Sequence, residues 1–196
     1  MGLEQAASRT HTESMRALLV AAVSVLCLVT PAGSATVDPS LLVLRAADVP
    51  AGYRLGDSGV LTNASETKRE PALAELYRSS GRLTGYHAVF ETVDGSRGPS
   101  FQSRSDLFRR GAGAHSYLVA FDREMGRAGI AGLKRTKATI GAEGLVFSGA
   151  AVGSAYTLII WREGRAVGAV IGLDVPKART IALARRQQLR MDRVLG

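Results

Sequence analysis

Two strongly apolar segments near the carboxyl end of the chain place the tightest constraint on its fold. Residues 155–161 and 166–173 are apolar at nearly every position, which is typical of strands that are covered on both faces of a sheet. Only Arg162-Glu163-Gly164-Arg165 separates them, so we predict a tight hairpin in which Gly164 adopts a positive φ. The chain must therefore supply helices for both sides of a sheet that has these strands at its centre.

A long amphipathic helix is predicted ahead of these strands. Ser105 or Asp106 is expected to cap it, and Gly126 and Gly129 mark its end. Small residues in its apolar stripe would let the helix lie close against the sheet. The stripe consists of Leu107, Gly111, Ala114, Leu118, Phe121 and Met125.

Shorter patterns complete an element order of α-β-α-β-β-α-β-β-β-β-α. This mixture predicts an α+β fold, an antiparallel-rich sheet with helices packed on its faces. Gly168 and Gly172 share one face of the last strand and permit close approach of a helix. The 161 residues from 36 to 196 suit a single soluble domain. Further helices are predicted over residues 41–47, 71–80 and 176–195, further strands over 53–61, 83–93, 101–105, 133–140 and 145–147, and a loop over 62–70.

Residues 16–35 have the layout of a secretory signal peptide. Arg16 precedes an apolar run over residues 17–29, and small side chains follow up to a predicted cleavage site after Ala35. The run has 13 residues, whereas a membrane-spanning helix needs about 20. We therefore expect a cleaved signal in residues 1–35 and a secreted or cell-envelope protein. An uncleaved membrane anchor is the alternative.

The start of the chain and its cysteine bear on that prediction. Residues 1–14 are long for the region before a signal and contain two glutamates, so translation is hypothesised to begin at Met15. Cys27 is the only cysteine, and it lies inside the apolar run after Leu26, which disfavours a lipid attachment. Cleavage would leave a chain without thiols, which excludes disulfides and cysteine-bound metals.

The chain is strongly basic, with 25 Lys and Arg against 17 Asp and Glu and a formal net charge of +8. A basic exported protein meets anionic partners such as phospholipid headgroups, cell-wall polymers and acidic glycans. Nucleic acid is not expected as a partner, because no aromatic-interleaved basic strand is present. Contact with a membrane surface, or with another exported protein, fits the same charge. The alternative is that the charge serves solubility alone.

Four arginines on the last predicted helix form a candidate ligand-binding stripe. They lie within about 60° of one another on a helical projection, and such a stripe can bind phosphate or carboxylate groups. A solvated helix face is the alternative reading. The stripe consists of Arg179, Arg186, Arg190 and Arg193.

The sequence contains few residues suited to catalysis. After cleavage the histidines are His87, on a strand, and His115, on the long helix. No metal-binding spacing, phosphate-binding loop or nucleophile motif accompanies either of them. We therefore assign no catalytic residue, metal or cofactor. A binding pocket between the long helix and the sheet is predicted near Tyr86, His87 and Trp161.

Four segments of the chain carry a resemblance to other proteins. The chain resembles a broad, mostly uncharacterised group of small exported bacterial α+β proteins, and more loosely extracellular sensor-type and PsbP-like domains. The resemblance implies a binding or interaction module and transfers no functional residue. The segments are Leu44-x-x-x-Asp48-Val49-Pro50-Ala51-Gly52-Tyr53, Gly85-Tyr86-His87-Ala88-Val89-Phe90, the helix with Gly113-Ala114, and Trp161-Arg162-Glu163-Gly164-Arg165.

The function favoured by the sequence is that of an exported, non-enzymatic binding or interaction domain whose ligand is anionic or amphipathic. A secreted hydrolase or transferase, with a site formed from residues scattered along the chain, is the alternative. Such an enzyme would be favoured if His87 and His115 met in one deep pocket. A structural envelope protein would be favoured by the lack of any sizeable pocket.

Overall fold

A computed structural model of the chain describes residues 37–93, 98–130, 132–151 and 153–196. The predicted signal peptide, the hypothesised start at Met15, the cleavage site after Ala35 and Cys27 lie outside the described residues. They stay predictions.

Seven strands form a single sheet in the order β1-β2-β3-β7-β6-β5-β4, and every neighbouring pair is antiparallel. Helices pack on both faces of this sheet, which confirms the predicted α+β class. The strands are β1 (Tyr53–Leu61), β2 (Arg82–Thr92), β3 (Ser100–Phe108), β4 (Lys134–Ala138), β5 (Glu143–Ala151), β6 (Ser154–Glu163) and β7 (Ala166–Leu173). The helices are α1 (Asn63–Thr67), α2 (Leu73–Ser80), α3 (Gly111–Arg127) and α4 (Lys177–Leu195), preceded by 3-10 turns at Pro39–Leu42 and Ala46–Asp48.

The predicted hairpin of two apolar strands lies in the middle of the sheet. It is formed by β6 and β7, which pair from Tyr156↔Leu173 to Glu163↔Ala166. Gly164 has a φ of 53°, as its place in a tight turn requires. The central position belongs to β7, which joins the unit β1-β2-β3 to the unit β6-β5-β4.

The two faces of the sheet bury separate apolar clusters. On the α3 face, α3 contributes Leu118 and Phe121 to a cluster with Phe147 of β5. On the α4 face, α4 and the segment 37–49 cover a second cluster that includes Trp161 and Met191. Burial of these side chains from water supplies the main free energy of folding.

Glycine allows α4 to approach the sheet closely, as predicted. A Cβ atom built at Gly168 would lie 2.5 Å from the ring of Trp161 and 2.7 Å from the sulfur of Met191. Gly172 lies equally close to Thr180 of α4. Any larger side chain at these two positions would push the helix away from the sheet.

The beginning of the long helix was predicted wrongly. Residues 105–108 belong to β3, and α3 begins only at Gly111, so neither Ser105 nor Asp106 is its cap. Both residues lie opposite partners on two neighbouring strands: Asp106, for example, pairs with Gly85 of β2 and Val167 of β7. Pairing on both sides of the strand overrides the local capping pattern.

Four other boundaries differ from the prediction. The helix predicted over 41–47 is replaced by the two 3-10 turns, and the loop predicted over 62–70 contains α1. Thr62 caps α1, because its hydroxyl accepts a hydrogen bond from the Ser65 amide at 3.2 Å. The strand β5 extends well beyond residues 145–147, and β4 is shorter than residues 133–140.

Candidate functional site

A groove between α2 and α3 is the candidate binding site. It has a volume of about 610 Å³, within the range of small-molecule sites. Its walls are mainly apolar, and its charged residues are Glu70, Glu124 and Arg127. The other lining residues are Ala72, Leu73, Leu76, Tyr77, Tyr117, Ala120, Phe121, Met125 and Ala128.

Helical periodicity explains how the two helices form these walls. On α3, Tyr117, Phe121 and Met125 follow one another at steps of four, and Ala120 lies beside them. Phe121 and Met125 belong both to this row and to the apolar stripe that packs on the sheet. On α2, Leu73 and Tyr77 have the same spacing. Because Ala120 is small, the space between the two helices stays open.

Two buried tyrosines line the inner part of the groove. The rings of Tyr77 and Tyr117 are stacked, with centroids 6.1 Å apart. Burial raises the pKa of Tyr117 to about 12, and burial likewise raises the pKa of Tyr77. Both phenols therefore keep their protons at neutral pH and are chemically able to donate a hydrogen bond to a ligand.

A buried cluster of four charged side chains lies next to these tyrosines. The guanidinium carbon of Arg82 is 5.3 Å from the centre of the Tyr77 ring, a cation–π contact. Asp106 accepts hydrogen bonds from Arg82 and also from Arg104, whose Nε lies 2.8 Å from Oδ2. Arg104 Nη2 also donates to Glu66 Oε2 at 3.0 Å. All four side chains are at most 3% exposed. We call these four residues the charge cluster.

The two acids of the charge cluster have opposite pKa shifts. Burial opposes ionisation of Asp106, but the attraction of Arg104 and Arg82 outweighs it and holds the pKa of Asp106 below its usual range. Burial raises the pKa of Glu66 to about 7, and repulsion from Asp106 adds to this effect. Oε1 of Glu66 is buried and has no hydrogen-bond partner among the described residues. Glu66 is thus the one acid of the charge cluster that titrates near neutrality.

The raised pKa of Glu66 predicts a falling stability between pH 4.5 and about 7. In this window the unfolded chain loses the proton and the folded chain keeps it, so the free energy of unfolding decreases as pH rises. Over the whole window the Glu66 contribution is at most about 3 kcal/mol. Glu66→Gln should remove it, because a glutamine stays neutral.

The measurement is urea unfolding of the wild type and Glu66→Gln at several pH values. The unfolding free energies of wild type and Glu66→Gln should be similar near pH 5. Above pH 7 the variant should be the more stable of the two. Glu124→Gln, an exposed acid on α3, is the matched control and should not alter the pH profile. Parallel profiles for wild type and Glu66→Gln would contradict the prediction.

None of the three residues predicted to form a pocket lines the groove between α2 and α3. Trp161 has no exposed surface and belongs to the cluster on the α4 face. Tyr86 packs against that same cluster. His87 follows Tyr86 on β2, and the two ring centroids are 6.5 Å apart. Its Nε2 lies 3.0 Å from Asp57 Oδ2 of β1.

The predicted arginine stripe is present on α4, but three of its four members contact the chain itself. Arg186 donates to the Asp48 carbonyl at 2.6 Å, and Arg190 forms an ion pair with the Asp48 carboxylate at 2.6 Å. These two residues hold the second 3-10 turn against the helix. Arg179 and Arg193 lie on the exposed surface. Arg193 Nε also donates to the Leu189 carbonyl at 3.0 Å, within the helix.

The two histidines lie towards opposite edges of the sheet. His115 Nδ1 is 2.7 Å from Glu143 Oε2 of β5, whereas His87 contacts Asp57 of β1. Four strands separate β1 from β5. Burial opposes ionisation of Glu143, but its bonds with His115 and Arg162 hold its pKa below the usual range. The histidines do not form a joint acid–base site.

Sequence reasoning missed both the groove and the charge cluster. The alternation of Arg104 and Asp106 along one strand was the available signal, because residues two apart share a face. Glu66 and Arg82 come from distant parts of the chain and carried no such signal. Within the ranges that the structure describes, no group of three or more acids, histidines or cysteines is arranged to hold a metal ion. No helix in these ranges has the length and apolar character to cross a membrane.

Comparison with known proteins places the fold but not the family. The sequence matches no family model and no curated protein. The architecture defines a domain class in which helices cover both faces of an antiparallel sheet. The chain is similar in fold to the extracellular domain of PknH from Mycobacterium tuberculosis, known from a crystal structure. The TM-score is 0.54 at 10% identity, over 79% of this chain and 94% of that one. The resemblance predicted from the sequence is thus consistent with a likeness of fold to an extracellular domain.

Proposed function

We propose that this protein is an exported, non-enzymatic binding domain whose ligand is an amphiphile with an alkyl chain. The observation that carries the proposal is the groove between α2 and α3, with its volume of about 610 Å³ and its apolar walls. An alkyl chain buried there gains about 0.8 kcal/mol per methylene group. This fits the amphipathic ligand predicted from the sequence.

The three charged residues that line the groove, Glu70, Glu124 and Arg127, form its rim and favour one kind of headgroup. Arg127 Nη1 donates to Glu124 at 3.0 Å, so these two charges neutralise each other. Glu70, half-buried at the other side, leaves the rim with a net negative charge. A neutral or cationic headgroup is favoured over an anionic one on electrostatic grounds.

Export remains part of the proposal through the predicted signal peptide. The likeness of fold to an extracellular domain is in agreement with it. The enzymatic alternative gains no support from the histidines, because neither of them lines the groove. A purely structural role is less favoured than binding, since the groove is large enough to hold a ligand.

Filling the groove tests the proposal. Ala120→Trp places a large ring between the two helices and should weaken binding of an alkyl probe, such as fluorescent dodecyl-chain surfactant, at least tenfold. Val119→Trp is the matched control: it neighbours Ala120 on the same helix, is 43% exposed and does not line the groove. Fluorescence titration measures Kd for each variant, and thermal unfolding checks that both remain folded.

A second variant keeps the proposal testable if Ala120→Trp does not fold. Leu76→Asn makes the α2 wall polar without adding volume, and it should also weaken binding of the alkyl probe. Equal affinity in wild type, Ala120→Trp and Leu76→Asn would refute the groove as the binding site. Failure of the wild type to bind any alkyl probe would refute the ligand class.

A further inference from the structure

The outward face of α4 is strongly basic. Its helix carries six basic residues against the single acid Asp192, whereas α3 carries two arginines against two acids. The burial pattern places Arg185, Leu189 and Arg193 along the outward side of α4, at steps of four. All three are exposed, and Leu189 is 61% exposed.

Charge alone does not explain why Leu189 is exposed on this face. An exposed leucine between arginines adds nothing to the binding of a purely ionic polymer. The 3-10 turn at Pro39–Leu42 packs beside α4 and carries a second exposed leucine, Leu41. Arg45, three residues after this turn, is also exposed. Leucines set among arginines suit the boundary between lipid headgroups and acyl chains, which is both anionic and apolar.

We propose that the outward face of α4 docks on an anionic phospholipid surface. The guanidinium groups of Arg185 and Arg193 contact lipid phosphates, and Leu189 inserts among the headgroups. This face lies on the opposite side of the sheet from the groove, so the groove stays open when the protein is docked. The inference rests on α4 alone and does not depend on the proposed ligand of the groove.

Vesicle flotation tests the proposal with the complete protein. The wild type should bind vesicles made of equal parts of phosphatidylglycerol and phosphatidylcholine, and it should not bind phosphatidylcholine alone. Each basic residue near an anionic surface strengthens binding about fivefold, so Arg185→Gln/Arg193→Gln should weaken it about 25-fold. Lys134→Gln/Lys137→Gln, on exposed positions of β4, is the matched control with the same loss of charge.

A third variant separates a membrane from a soluble polyanion. Leu189→Asn keeps every charge and should weaken vesicle binding several-fold, yet leave binding of polyphosphate unchanged. Equal weakening by the α4 and β4 double variants would overturn the proposal, because attraction would then follow net charge alone. So would binding of polyphosphate without binding of vesicles. Circular dichroism confirms that each variant is folded.

Discussion

Asp106→Ala is expected to lower the free energy of unfolding by about 3–5 kcal/mol, the usual cost of leaving a buried charge without its partner. Asp106 is 2% exposed and accepts hydrogen bonds from both arginines of the charge cluster. Its removal takes from Arg82 and Arg104 the carboxylate that both of them bind, and Glu66 remains beside them. Denaturant unfolding at neutral pH measures the loss.

Two further variants test whether the loss of stability comes from the buried charge of Asp106. Asp106→Asn keeps the shape of the side chain and should cost less than alanine. Asp122→Ala breaks the ion pair between Asp122 and Arg135, which lies at the surface, and should cost no more than about 1 kcal/mol. If Asp106→Ala cost as little as Asp122→Ala, the charge cluster would not be a structural unit.

The same substitution has a second consequence, for Glu66. Repulsion from Asp106 is one of the causes of its raised pKa. In Asp106→Ala the pKa of Glu66 should therefore fall, and the fall in stability between pH 4.5 and about 7 should move to lower pH. Unfolding of the variant at several pH values would show this shift directly.

Trp161→Ala is expected to cost about 3–5 kcal/mol, as for other large aromatic residues removed from a core. Trp161 fills the space between β7 and α4, against Gly168 and Met191. Trp161→Phe should cost about 1 kcal/mol or less. Its smaller cavity is offset by removal of Nε1, a buried donor that has no hydrogen-bond partner among the described residues.

This pair of variants also separates a core role from a ligand role for Trp161. Denaturant unfolding gives the two stabilities, and titration with the alkyl probe gives the affinities. Trp161→Phe should bind the probe with the wild-type affinity, because Trp161 lies on the α4 face, away from the groove. A large loss of affinity in a stable Trp161→Phe protein would restore Trp161 as a ligand residue.

Features set by neighbours along the chain could be predicted from the sequence. The β6–β7 hairpin needs only two apolar strands and the turn at Gly164, and both are visible locally. The close packing of α4 could be predicted from Gly168 in the same way. Such features follow from periodicity and turn chemistry.

Features set by distant parts of the chain could not be predicted. Ser105 and Asp106 look like a helix cap until the strands on both sides of β3 are known. The charge cluster joins Glu66 of α1 to residues of β2 and β3. No residue spacing in the sequence indicates that these side chains are in contact. The groove likewise depends on how α2 lies against α3, which only the packing decides.

The central place of β7 has a consequence for the order in which the chain acquires structure. Residues 100–107 of β3 pair with residues 166–173 of β7. The unit β1-β2-β3 can therefore join the rest of the sheet only after nearly the whole chain has been made. Contacts this far apart in sequence form slowly. A chain still being synthesised therefore lacks the central strand of its sheet until residues 166–173 have been made.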